Sequence, residues 1–309
     1  MDRRTLVAMT TSASGAGAAL MARQLFAADA PAAASIAQPP RSSFIHRRDG
    51  TALFYKDWGT GRPIVFVCSA GMSCDMWAYQ MLPFTAQGFR CVTFDRRGNG
   101  RSSDPGRGYD FDTLADDLAA VLETLDLRNA TLVGHSMGCA EITRYLTRHG
   151  TSRVARVAML APTTPFLLKT SDNPEGVDRS VFQALRTQWL RDYPKWIADN
   201  TDPFFVPETS PAMKSWGASL LLGTSLQAQL ECNVAVTETD FRPELARITP
   251  PVLVLHGTKD VSAPLPLTGQ RTAKLLPHCE IKVYEGAPHG LFLTHMQQVN
   301  EDLLRYVRT

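Results

Sequence analysis

The order of the residues predicts an α/β fold, with a mostly parallel central sheet flanked by helices and a helical cap inserted between late strands. Three observations predict it. Short apolar runs alternate with stretches of helical periodicity from Ala52 to Tyr284, the rhythm of strands joined through helical crossovers. One of these runs, Thr131-Leu132-Val133, breaks into Gly134-His135-Ser136-Met137-Gly138 and resumes as a helix. The alternation then stops between residues 164 and 247, and two further apolar runs restore it.

Residues 1–34 read as an export leader. Arg3 and Arg4 precede a weakly apolar, small-residue run that ends in Ala28-Asp29-Ala30 and Ala32-Ala33-Ala34, which have cleavage-like spacing. The paired arginines resemble the twin-arginine type, so the expectation is an exported protein, periplasmic or secreted, whose folded part spans 35–309. The expected strands follow at Ala52–Lys56, Pro63–Cys68, Cys91–Phe94, Ala130–Val133, Arg156–Leu160, Val252–Leu255 and Ile281–Tyr284. Between the third and fourth, Leu114, Leu118, Val121, Leu122 and Leu125 share one face of a helix over Phe111–Leu125. Behind the fourth, Ala140, Ile142, Tyr145 and Leu146 continue another helix, so Ser136 falls where a strand ends and a helix begins. A connection as long as 164–247 is read as a cap, its Phe166, Trp189, Trp196, Phe204, Phe205 and Trp216 forming either its own core or an apolar substrate pocket.

Composition narrows the function. With 309 residues and 44% hydrophobic content the chain buries a large core. A net charge of +2 without a long basic run gives no footprint for nucleic acid. No apolar stretch reaches the roughly 20 residues that span a bilayer. The six cysteines, Cys68, Cys74, Cys91, Cys139, Cys232 and Cys279, are spaced neither as a disulfide framework nor as a zinc site, and buried free thiols are expected for most. No cluster at ligand spacing asks for a metal, and no motif asks for a cofactor. The oligomeric state stays open.

The chemistry is carried by three residues. A Gly-x-Ser-x-Gly stretch is a moderate signal alone, but between strand and helix it gives Ser136 a strained, exposed-side turn and the free N–H groups of a helix start. Val252–Leu255 runs into His-Gly-Thr-Lys-Asp, putting Asp260 in a loop at a strand's carboxyl end; Ile281–Tyr284 runs into Glu-Gly-Ala-Pro-His, putting His289 likewise. In this order Ser136 is the nucleophile, His289 its base, and Asp260 the group that holds the imidazole tautomer. His135 is expected to pack at the turn, His256 to cap its strand, Glu285 to lie at the surface and His295 to be structural on the C-terminal helix.

From about Ile45 onward the chain resembles the α/β-hydrolases, in the branch of cofactor-free haloperoxidases and aryl esterases. The residues carrying the resemblance are Phe94–Ser102 (FDRRGNGRS), TLVGHSMG, Arg148–Pro162, Glu238–Leu245, Val254–Asp260 and VYEGAPHG with Asn300–Leu304. The resemblance implies a serine esterase acting on small or aryl carboxylic esters or lactones. It also implies that hydrogen peroxide could replace water to give a peracid that oxidises halide. It assigns the triad to Ser136, Asp260 and His289 and the oxyanion hole to the backbone N–H groups of Met137 and Ala70. Cys68-Ser69 replaces the family's His-Gly, Gly71 stands where peracid-forming members often carry proline, and the FDRRGNGRS element reads as a structural turn. A non-catalytic binding protein on the same fold is the alternative from another class.

Overall fold

The computed structural model describes residues 42–309. The expected leader therefore lies outside the described residues. These form an eight-stranded sheet in the order β1-β2-β4-β3-β5-β6-β7-β8. Its strands are β1 (Phe44–His46), β2 (Ala52–Trp58), β3 (Pro63–Val67), β4 (Arg90–Phe94), β5 (Ala130–His135), β6 (Val154–Leu160), β7 (Val252–Gly257) and β8 (Cys279–Tyr284). Only the pairings of β1 with β2 and of β2 with β4 are antiparallel; the rest of the sheet is parallel. The seven expected strands are present with ends moved by a few residues, and β1 is an addition: three residues at the sheet edge carry too little periodicity to be read.

Helices cover both faces. In chain order they are α1 (Ala78–Ala86), α2 (Phe111–Thr124), α3 (Met137–His149), α4 (Arg179–Asn200), α5 (Pro211–Leu222), α6 (Leu226–Glu238), α7 (Arg242–Leu245), α8 (Gly269–Leu275), α9 (Leu291–Thr294) and α10 (Met296–Arg308). The strand alternation sorts side chains to two cores. Val65, Val67, Leu132, Val157 and Val254 pack with Leu114 and Leu118 of α2 and Ile142 of α3. Phe66, Val133, Leu160, Leu253 and Leu255 face the other way and pack with Met81 and Phe84 of α1 and Val299 and Leu303 of α10. Because both faces are covered, β5 is buried at every position, which is why it reads as an unbroken apolar run. Asp110 caps α2 by accepting from the Thr113 amide at 2.9 Å, a contact of about 1 kcal/mol that sets where that helix starts.

The site follows from the strand order. The connection leaving β3 runs to β4 on one side and that leaving β5 runs to β6 on the other, so a crevice opens between the carboxyl ends of β3 and β5. Val67 of β3 pairs in register with Gly134 of β5, so the loops that leave these strands begin side by side. The connection from β6 to β7 holds α4 to α7, as expected of a cap. All six cysteines are free thiols, five of them buried. Among the described residues no helix is long and apolar enough to cross a membrane.

Candidate active site

The turn after β5 is strained as its sequence suggests. Ser136 sits at φ 55°, ψ −118°, a conformation that costs a non-glycine residue about 1–3 kcal/mol, and α3 begins at the next residue. The Ser136 amide donates to the Leu160 carbonyl at 2.9 Å, tying the turn to the end of β6. Both flanking glycines are required by close approach. A Cβ on Gly134 would lie 2.8 Å from the Gly138 carbonyl carbon, and one on Gly138 would lie 2.6 Å from the Val67 oxygen and 2.8 Å from the Cys68 oxygen. The first turn of α3 thus presses on β5 and on the loop that carries Ala70.

Asp260 and His289 meet, each in a loop at a strand's carboxyl end. His289 Nδ1 donates to Asp260 Oδ2 at 2.7 Å, while Asp260 Oδ1 accepts from the amides of Ser262 at 2.9 Å and Ala263 at 2.7 Å. Burial works to raise the Asp260 pKa, but the His289 charge and the hydrogen bonds from His256, His289 and Ala263 outweigh it and hold the carboxyl well below its ordinary range. An ionised carboxylate only accepts, so the proton on the imidazole is at Nδ1, and Nε2 is left with its lone pair. The two loops are locked together by backbone: a Cβ on Gly257 would stand 2.0 Å from the Ala287 oxygen.

Two more histidines enter the network. His256, expected as a strand cap, is fully buried with Nε2 2.8 Å from the Ala263 oxygen and 3.2 Å from Asp260 Oδ2. The His256–Asp260 spacing of four residues was the only sequence signal for it. His135 packs at the turn as expected, and its Nε2 also donates to the His289 carbonyl at 2.9 Å, with the two rings 4.7 Å apart. Burial first, and the His289 charge second, push the His135 pKa down to about 3, so this ring is neutral, with its proton on the Nε2 that faces the His289 carbonyl. Glu285 is exposed, and His295 contacts Thr294 at the start of α10.

The loop after β3 carries Ser69 where the resembling family has glycine. Ser69 is not among the residues with positive φ; the neighbouring Gly71 takes that conformation instead, at +71°. Ala70 is half-buried between them. Over this edge the cap leaves a cavity of about 370 Å³ lined by Met72, Trp196, Phe204, Phe205, Leu221 and Val261. The cap aromatics therefore divide: Trp189 and Tyr193 build the cap's own core with Ile197, while Phe204 and Phe205 line the cavity and Trp196 touches both. Phe204 also accepts from the Gly290 amide at 3.1 Å, and its ring lies 5.8 Å from that of His289. Among the described residues no group of three or more His, Cys, Asp or Glu could hold a metal ion.

Comparison with known proteins agrees with this architecture. Residues 62–296 match the alpha/beta hydrolase fold family. A non-heme chloroperoxidase from Kitasatospora aureofaciens is 38% identical over 267 residues, covering 84% of this chain and 97% of that protein. A bifunctional esterase/perhydrolase from Acinetobacter calcoaceticus is 35% identical over 275 residues, covering 86% and 99%. Among solved structures, an esterase from Exiguobacterium antarcticum superposes with a TM-score of 0.83 at 29% identity, covering 86% of this chain and 99% of that one. With a parallel sheet, a strained serine turn and an Asp–His pair at its carboxyl edge, the chain belongs to the α/β-hydrolase family, in its haloperoxidase and esterase branch, and is a hydrolase.

Proposed function

We propose that the protein is a serine esterase that cleaves small or aryl carboxylic esters, lactones included, through an acyl-enzyme on Ser136. The observation that carries this reading is the 2.7 Å bond from His289 Nδ1 to Asp260, which leaves Nε2 as a base, together with the strained turn that presents Ser136. The ester lies with its apolar part in the cavity under the cap. Ser136 Oγ attacks the carbonyl carbon while His289 takes its proton, and the amides of Met137 and Ala70 receive the developing negative oxygen. Collapse of the intermediate expels the alcohol, protonated by His289. Water, deprotonated by the same ring, then releases the acid. Ser136→Ala should remove turnover of short p-nitrophenyl esters and labelling by a fluorophosphonate probe without changing the circular dichroism spectrum; unchanged turnover sinks the proposal.

A second reading, peracid formation with hydrogen peroxide in place of water, is favoured by the names of the relatives. Against it stands Gly71: proline fixes φ near −65°, so a loop at +71° does not take the path of members with proline there. Ester hydrolysis is therefore the main reaction proposed. An assay with peroxide and bromide separates the two, since halide oxidation exceeding hydrolysis would reverse the order. Export by the leader is proposed from its sequence alone, and cell fractionation with mass spectrometry of the mature amino terminus tests it.

A further inference from the structure

The FDRRGNGRS segment reads as a turn, yet its side chains grip the loop that carries Ala70 at both ends. Asp95 Oδ1 accepts from the Cys74 amide at 2.6 Å, and Arg96 holds the other end. Arg96 is buried, at 1% exposed, against Glu141, at 0%. Its Nη2 donates to the Cys68 carbonyl at 2.9 Å and its Nη1 to the Ser69 carbonyl at 3.0 Å. Its Nε and Nη2 also donate to Glu141 Oε2 at 2.9 and 2.7 Å. Glu141 belongs to α3, the helix that starts at Met137. One guanidinium therefore ties the Ala70 loop to the helix whose amino terminus follows Ser136.

The bond to Ser69 matters because of the planarity of the peptide. The Ser69 carbonyl and the Ala70 N–H belong to one trans unit and point in opposite directions. Holding the carbonyl on Arg96 turns the Ala70 N–H away from the guanidinium. A cation at the oxygen also polarises the unit and makes its N–H a stronger donor to an anion. A buried ion pair is weak evidence of stabilisation, because a well-packed apolar pair commonly does as well. We propose that Arg96, held in place by Glu141, is a positioning residue for ester cleavage that orients and polarises the Ser69–Ala70 peptide as an oxyanion donor. The proposal rests on the serine-esterase reading.

Two variants test it. The double variant Arg96→Met/Glu141→Leu removes both charges together and so leaves no lone buried ion. Arg96→Lys keeps the charge but cannot reach two carbonyls and a carboxylate with a planar fork. In each folded variant, kcat for p-nitrophenyl acetate should fall on the order of 10- to 100-fold, somewhat less than the loss of a whole oxyanion donor. KM should stay within about twofold, and the Ki of a trifluoromethyl ketone, which binds as the tetrahedral adduct, should weaken by the same factor as kcat/KM. Wild-type kcat in a folded variant, or a loss of rate without loss of inhibitor affinity, overturns the proposal. Ser136→Ala is assayed alongside: residual turnover there undermines the esterase reading itself, whereas a silent Ser136→Ala beside fully active Arg96 variants defeats only the role of Arg96.

Discussion

Gly138 shows how a single hydrogen in place of a methyl group decides whether the site forms. Its missing Cβ lets the α3 turn approach the Val67 and Cys68 carbonyls, so Gly138→Ala should cost about 3 kcal/mol or shift the turn, read as a lower urea midpoint. A variant of unchanged stability would show that the close approach is not required. His135 makes a pH prediction. Its folded pKa of about 3 lies below the ordinary value near 6.5, so between these the unfolded chain binds a proton that the folded chain does not. Stability is therefore lost as pH falls from about 6.5 towards 3, by up to about 1.4 kcal/mol per pH unit from this group. Asp260, held low, adds its own loss only below about pH 4, where the unfolded carboxylate protonates. His135→Gln keeps a donor for the His289 carbonyl and should flatten the slope above pH 4; an unaltered slope refutes the assignment. Ser136, Asp260 and His289 stood out as candidates because each follows an apolar run in chain order, and the structure brings Asp260 and His289 together. His256 and Arg96 were not, since their partners are met across loops and helices that periodicity does not locate.

At the scale of elements, the cap helices shape the apolar cavity in which the proposed substrate lies. Leu221 of α5 lines the cavity beside Gly71, where its Cδ2 would lie 3.1 Å from an added Cβ. Leu221→Trp should fill part of the 370 Å³, raising KM for aryl and long-chain esters by about tenfold with little change for acetate. Equal effects on both classes would place the acyl or aryl group elsewhere. The cap was legible as a break in alternation, because its helices need no period-two pattern. Which of its aromatics face inward was not legible, since α4 bends at Asp192 (φ −164°, ψ 83°) and its face is not continuous.

Over the whole molecule, stability is unevenly spread. The sheet is sandwiched between two large cores, whereas the cap's own core centres on Trp189, Tyr193 and Ile197. Local opening should then begin in the cap: amides of α4 are expected to exchange with solvent at least about 100-fold faster than those of β5. Matching protection in the two elements would mean that cap and sheet open only together. The sequence by itself determined the alternation of strands and helices, the glycine-flanked turn at Ser136 and the placing of Asp260 and His289 after later strands, because hydrophobic period and glycine placement are local properties. Only the tertiary structure decided that β3 lies beside β5, that His256 touches Asp260, and that Arg96 clamps the Ser69 carbonyl to α3. Those are distances between residues far apart in the chain, fixed by how the sheet is ordered and how its two cores close.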